Sequence, residues 1–450
     1  AMCQAGMNVA RINFSHGTHA EHQQKIDLIK KVRNKLHLPI AIMLDTKGPE
    51  YRIRSFADGK VELKEGDLFT FTTEQIVGDA HRVSVSYPGL IQDLSVGDKI
   101  LLNNGLLSSQ VEKLTKTDAI CRVLVGGETS NNKSMSFPNK VLNQVYLSEQ
   151  DKKDILFGIQ NDVDYIACSF VSRRQDLDDI HAFLQEHGRD DIGLIAKIEN
   201  QPGIDNIVEI CQACEGIMIG RGDLGVEVPF EQLPAIQKQL ITQCRLLGKR
   251  VITATEMLES MIHNARPTRA EISDVANAVY DGSSAIMLSG ETAAGKYPVE
   301  TVATMSRIAE TTEQSIRYDR WFHNTTNFQI KDTVDAISHA TCGVAIDIGA
   351  NAIVACSLSG MTVRMVSRFR PPMDILGLTT NERTWRRLAL SWGVTPALCD
   401  EFTSTDVLFY NAQQMAKQTF HLQKGDKIVI TGGVTNGKSG NTNLIKVENI

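Results

Sequence analysis

From Asn8 onward, short runs of apolar and β-branched residues alternate with stretches whose apolar positions recur every three or four residues. The runs Val9–Phe14, Ile40–Leu44, Tyr165–Phe170, Leu194–Ile198, Gly216–Ile219, Val251–Ala254 and Ala285–Leu288 read as strands. Between them, His19–Leu36, Arg174–His187, Ile204–Cys214, Phe230–Leu247 and Arg269–Asp281 read as helices. Alternation of this kind predicts an α/β protein with a parallel sheet and crossover helices. Seven such units fit a (β/α)8 TIM barrel, which takes eight strands. The first strand is expected to be missing ahead of Ala1, where the chain opens inside what reads as a helix end capped by Gly6.

The pattern breaks between Tyr51 and Lys140. Turn signals crowd there (Asp58-Gly59, Glu65-Gly66-Asp67, Val96-Gly97-Asp98, Asn103-Asn104-Gly105) and no helical period appears. An inserted small β-barrel lid domain over 53–137 is therefore expected, dividing a catalytic barrel of 1–52 and 138–323. Past Asn324 the alternation resumes with strands at Ile353–Ser357, Ile375–Leu378, Lys427–Thr431 and Ile445–Val447, predicting a C-terminal α/β domain over 324–450.

Composition narrows the function. The chain of 450 residues is 42% hydrophobic and 22% charged, with a formal net charge of −6, as a folded protein with sizeable cores should be. No basic stripe marks a nucleic-acid binder, and no apolar run has the length of a membrane span. Any anionic ligand must be met by a local cationic pocket. The 9 cysteines lack framework spacing, which fits reduced thiols in a cytoplasm. Cys211 and Cys214 form a C-x-x-C within a helical stretch, with no second pair for zinc, so they read as structural.

Residues two apart on a strand share a face. Arg11, Asn13 and Ser15 form one such set, Lys197 and Glu199 another, and Arg221 and Asp223 follow a third strand. Asp45-Thr46-Lys47, Ser169, Thr255 and the pair Ser289 and Glu291 also lie at strand ends. One polar strand end is ordinarily a solvated loop or a helix cap; seven in succession, at the end where barrel enzymes build their sites, are not. Glu199 and Asp223 suit a hard divalent cation such as Mg²⁺ (or Mn²⁺). Arg11, Lys197 and Arg221 add positive charge that implies an anionic substrate, most simply a phosphate. Positioning and charge neutralisation are what phosphoryl transfer asks of a protein.

The stretches Asn8–Gly17, Leu44–Glu50, Ala196–Asn200, Arg221–Gly225 and Leu288–Ala293 closely resemble pyruvate kinase, in order and at that family's spacing. The resemblance implies phosphoryl transfer from phosphoenolpyruvate to ADP, giving pyruvate and ATP. By the same resemblance, Lys197 and Arg11 would meet the phosphoryl group, and Glu199 and Asp223 would hold Mg²⁺. Gly222, Asp223, Thr255 and Ser169 would bind substrate, and Thr255, or a relay through Ser289 and Glu291, would protonate the enolate. Asn13, Ser15, Asp45 and Thr46 would hold K⁺, with Glu50 in the position that marks K⁺-requiring members. Asn13, His16, Arg52 and Lys133 would face the nucleotide, beneath a lid that excludes water. The chain departs from the usual family pattern at Asn103 and Asn104 and over Glu128–Ser134 in the lid, where a Gly-rich stretch is usual, and at Gly220 for alanine and Glu256 for glutamine. A homotetramer is the family's usual assembly.

In the last domain, Ser357, Ser359, Gly360 and Thr362 run from a strand into a helix and resemble the effector-phosphate loop of regulated members, closed by Gly432–Asn443. A sugar phosphate or nucleotide is the expected effector. Two rival readings remain: another enolpyruvate-handling barrel enzyme, and a ligand-binding paralogue without activity.

Overall fold

The computed structural model describes residues 1–450 except 141, 144, 324–327, 402–403 and 434–440. Seven parallel strands form one sheet in chain order: Val9–Asn13, Ala41–Asp45, Tyr165–Cys168, Gly193–Ile198, Gly216–Gly220, Arg250–Ala254 and Ala285–Ile286. The period-2 pattern decides which side chains go where. Ile42, Leu44, Ile166, Leu194, Ala196, Ile198, Ile217 and Ile219 pack outward on helical Ile26, Ile155, Leu177, Ile180 and Leu240. Their neighbours Ala41, Met43, Tyr165, Ala167, Ile195, Met218 and Ile252 fill the inside, and Leu390 of the last domain joins them from below. Lys197 and Glu199 continue the inward row begun by Ile195, so they emerge at the strands' carboxyl ends.

Helix boundaries follow local chemistry. His19–Leu36 and Arg269–Asp281 start at Thr18 and Thr268, each in a capping box with a glutamate three residues on, and each stops at a left-handed residue, His37 and Gly282. The stretch 204–214, predicted as one helix, is two: Gln201–Asp205 and Ile207–Gln212. Asn206 interrupts it by turning its amide onto the Ser172 carbonyl at 2.9 Å. Likewise 230–247 opens with a 3₁₀ turn, Phe230–Gln232, and Pro234 then sits in the first turn of Leu233–Leu246. Ala1–Gly6 forms hydrogen-bonded turns, with Gly6 at φ +120°.

The inserted segment holds a two-stranded sheet, Lys60–Leu63 with Gly127–Ser130, and a seven-stranded sheet that takes in Tyr51–Arg52 as an edge strand. Its edges meet at the Ile53–Val85 bridge, flanked by Arg54 N–H to Ser84 O and Ser86 N–H to Arg52 O, both 2.8 Å, so the sheet closes into a small barrel. Phe69, Phe71, Ile100, Leu102 and Cys121 fill it.

The last domain is a five-stranded sheet in the order Val394–Leu398, Asp374–Thr379, Ala352–Cys356, Lys427–Gly433, Thr442–Asn449, with only the final strand antiparallel. The sequence reading missed Val394–Leu398, because Pro396 interrupts it; proline is tolerated there because the strand is at the edge. This domain is bolted to the foot of the barrel. Arg386 Nε donates to Asp164 at 2.8 Å, and Tyr165 donates its hydroxyl hydrogen to the Arg387 carbonyl at 2.8 Å.

Candidate active site

Four adjacent strand ends converge on the Lys197 ammonium. It donates to Ser169 Oγ at 2.7 Å and lies 3.2 Å from Asp45 Oδ1 and 3.0 Å from Glu199 Oε1. Burial works against its charge, but the two carboxylates outweigh that and raise its pKa. The other Asp45 oxygen is taken by Arg11 Nε. Burial alone would push the Asp45 carboxyl up; Lys197 and Arg11 together hold it below the ordinary range. Asn13 and Asp45 are register partners on neighbouring strands, and Asn13 Oδ1 accepts from Ser15 N–H at 3.0 Å. Thr46 Oγ1 meets the Ala167 carbonyl and accepts from Ser169 N–H at 3.2 Å. The four residues expected to hold K⁺ are thus on two adjoining strand ends.

Glu199 is buried, and its second oxygen accepts the Phe170 amide at 2.9 Å. Burial raises its pKa; Lys197 opposes this and Asp223 reinforces it, leaving the group at about 7. Asp223 is raised too, by burial first, with Lys197 lowering it and Asp45 raising it. Glu199, buried, and Asp223, exposed at the mouth of the barrel, repel one another and are a donor pair that a hard divalent ion would relieve. Among the described residues no group of three or more His, Cys, Asp and Glu side chains is arranged for a metal. Gly220 is what lets Glu199 lie back on the backbone, since a Cβ there would fall 2.6 Å from Glu199 Oε1.

Thr255 stands at the next strand end, its hydroxyl accepting from Gly222 N–H at 3.2 Å. Its φ is +72° and that of Glu256 +54°, a left-handed pair unusual for non-glycine residues. Phe170, at φ +55°, is similarly placed.

Three expectations change here. Arg221, read as a cation for the substrate, turns away from the cluster: it pairs with Asp274 at 2.8 Å and donates to the Ala254, Thr255 and Glu256 carbonyls. The cause is its place at the first residue of the helix Arg221–Glu227, where the chain bends out of the barrel. Ser289 and Glu291 do not reach the charged centre through any hydrogen bond among the described residues. Glu291 is fully buried and spends its oxygens on the amides of Leu258 (3.1 Å) and Ser289 (2.6 Å), bracing the loop behind Thr255. Thr362 does not present a free hydroxyl: buried, it is bonded to Thr442 Oγ1 at 2.6 Å. Ser357, Ser359 and Gly360 lead into the helix Met361–Ser367 as expected, with Gly360 at φ +79°. Of the loop 432–443, residues 434–440 lie outside the described residues.

Between the barrel mouth and the inserted domain lies a cleft of about 500 Å³, lined among others by Glu50, Arg52, Asn103, Asn104, Lys133 and Asp223. Arg52 grips Glu50 with two donors, at 3.0 and 2.8 Å, and also reaches the Asn132 carbonyl at 2.7 Å. His16 is exposed on the loop after the first strand. Asn103 and Asn104 adopt left-handed backbone, φ +52° and +54°, which asparagine tolerates better than most residues. Sequence reasoning missed the Phe170 amide and the cleft-lining Glu227, whose pKa burial raises to about 7. Neither carries a local signal, because each is brought to the site only by its neighbours.

A parallel α/β barrel whose strand ends carry a lysine between carboxylates, overhung by an inserted β-barrel, defines a kinase of the phosphotransferase class. Residues 1–302 match the family "Pyruvate kinase, barrel domain" and 335–448 match "Pyruvate kinase, alpha/beta domain". The chain is 45% identical to a pyruvate kinase of Clostridium acetobutylicum across 100% of its own length and 95% of that protein's. It is 46% identical to one from Geobacillus stearothermophilus, across 99% of itself and 76% of that protein. A crystal structure of a pyruvate kinase from Cryptosporidium parvum superposes with a TM-score of 0.95 at 34% identity, covering 100% of this chain and 92% of that one. The chain belongs to the pyruvate kinase family. Membership implies a divalent metal ion and potassium.

Proposed function

We propose that this chain transfers the phosphoryl group of phosphoenolpyruvate to ADP, giving pyruvate and ATP. The observation that carries the reading is the Lys197 ammonium held between Asp45 and Glu199 with Ser169 beneath it, beside the Glu199–Asp223 carboxylate pair. Lys197 is a buried, fixed positive charge, which serves the phosphoryl group in flight without solvent reorganisation. Arg11, already oriented by Asp45, is the second clamp on its oxygens. Glu199 and Asp223 would hold Mg²⁺ or Mn²⁺, which supplies Lewis-acid stabilisation of phosphoryl and enolate oxygens. The amides at Gly222 and Asp223, with Thr255, would hold the substrate carboxylate, and Ser169 would act on the substrate from beneath Lys197. Thr255 is the nearest candidate for delivering the proton to the enolate. The buried Glu291 supports its loop, and Ser289 would act only through water.

Asn13, Ser15, Asp45 and Thr46 would bind K⁺, and His16, Arg52, Lys133 and Asn13 would face ADP, under the inserted domain as a lid. A phosphorylated effector at Ser357–Thr362 and a homotetramer complete the proposal, with the chain working in a cytoplasm. Among the described residues no helix is long and apolar enough to cross a membrane. The test is a coupled assay for pyruvate from phosphoenolpyruvate and ADP, with Mg²⁺ and K⁺ each withheld in turn. Pyruvate formation that depends on ADP, Mg²⁺ and K⁺ is expected. Its absence would favour a ligand-binding paralogue, pyruvate without ADP another enolpyruvate enzyme, and full activity without K⁺ would remove the potassium site.

A further inference from the structure

Arg221 is nearly buried, and two of its three guanidinium nitrogens are spent on one turn of backbone. Nε lies 3.1 Å from both the Ala254 and Thr255 carbonyl oxygens, and Nη2 reaches the Thr255 oxygen and, at 3.2 Å, that of Glu256. Nη1 is anchored by both oxygens of Asp274, at 2.9 and 2.8 Å, and by Gln237 Oε1 at 3.4 Å. The turn so gripped is the strained one, with Thr255 at φ +72° and Glu256 at +54°. A β-branched residue in that region is a genuine outlier and persists only where surroundings over-determine it. Here a planar fork collects three consecutive carbonyls, which a lysine's single nitrogen cannot do. On the other face of the same turn, the Thr255 hydroxyl meets the Gly222 amide at 3.2 Å, one residue from Arg221 and one from Asp223.

We propose that Arg221, held by Asp274, is a positioning residue that locks the Thr255–Glu256 turn and thereby aims the Thr255 hydroxyl and the Gly222 amide at phosphoenolpyruvate; this rests on the substrate assignment made above. Arg221 itself touches neither substrate nor metal. Its effect should therefore pass through Thr255 and fall on phosphoenolpyruvate rather than on ADP.

The experiment is a double-mutant cycle in the full chain with phosphoenolpyruvate, ADP, Mg²⁺ and K⁺, using Arg221→Ala, Thr255→Ala and the pair. Arg221→Ala is expected to lower kcat/KM for phosphoenolpyruvate about 100-fold, the order of loss that misplacing a substrate-orienting group brings. The KM for ADP should stay within about twofold. On the Thr255→Ala background the same change should cost less than about threefold, because the group it positions is gone. Should Arg221→Ala fail to fold by its melting curve, Arg221→Lys and Asp274→Asn run the same cycle, each with a loss of about tenfold that vanishes on the Thr255→Ala background. Equal losses on both backgrounds, or a parallel rise in the KM for ADP, overturn the positioning role alone. A wild-type chain that makes no pyruvate brings down the substrate reading, and this inference with it.

Discussion

Asp45 and Glu199 come from different strands and face each other across one ammonium group, the Lys197 nitrogen lying 3.2 Å from the first and 3.0 Å from the second. Each carboxylate has a further partner, Arg11 for Asp45 and the Phe170 amide for Glu199, so the lysine is held from both sides in a single place. Preorganisation of this kind makes a fixed charge effective in a site that excludes water.

Removing that charge is the most direct test. Lys197→Met should lower kcat at saturating phosphoenolpyruvate and ADP by about 10³-fold or more, given what single preorganised groups contribute in such sites. A loss of less than tenfold would contradict the assignment.

The raised pKa of Glu199 gives a pH dependence with a definite sign. Its folded value of about 7 lies above the ordinary 4.5, so the folded protein holds a proton that the unfolded chain has lost. In the metal-free protein this contribution to stability is complete below the unfolded value and is lost as pH rises through about 7. Mg²⁺ needs the ionised carboxylate, so its affinity should weaken as pH falls below about 7. Melting curves at pH 6 and pH 8, with and without Mg²⁺, check both statements. The Mg²⁺-induced rise in Tm should be larger at pH 8, and Glu199→Gln should reduce the difference.

At the foot of the barrel, Asp164 is fully buried and receives Arg386 Nε at 2.8 Å, the Ile42 amide at 2.9 Å and Arg33 Nη1 at 3.5 Å. Arg386→Ala strips away the closest cation and leaves a buried carboxylate under-paired. A destabilisation of about 3–5 kcal/mol is expected, the usual result of breaking a buried pair from one side. The denaturation midpoint of the variant, measured beside the wild type, reads it directly.

The last-domain loop makes its own prediction. If Ser357–Thr362 receives a phosphorylated effector, a sugar phosphate or nucleotide should lower the half-saturation for phosphoenolpyruvate. Thr362→Glu, which breaks the hydroxyl pair with Thr442 and adds negative charge at the loop, should abolish that response. A Thr362→Glu variant that still responds would place the effector elsewhere.

Much of this was legible in the sequence because it follows from short-range physics. Strand alternation put Lys197 and Glu199 on one face, since residues two apart in a strand must share a side. The helices His19–Leu36 and Arg269–Asp281 were visible in the recurrence of apolar positions every three or four residues, and the structure gives them those same bounds. Where local signals were weak the reading slipped. Asn206 broke a periodic helix through one bond to Ser172, and Pro396 concealed an edge strand that pairing with its neighbour supports.

What the sequence determined by itself was the alternation that builds the two α/β sheets, the turn-rich β segment that interrupts it, and the set of polar residues at the strand ends. Tertiary structure alone decided where those side chains point. Arg221 and Glu291 looked like members of the charged centre, yet both brace the turn at Thr255, Arg221 through the carbonyls of its left-handed backbone and Glu291 through the Leu258 and Ser289 amides beside it. Lys197 stayed at the centre for the opposite reason: buried among carboxylates from neighbouring strands, it has no other place where its charge is met.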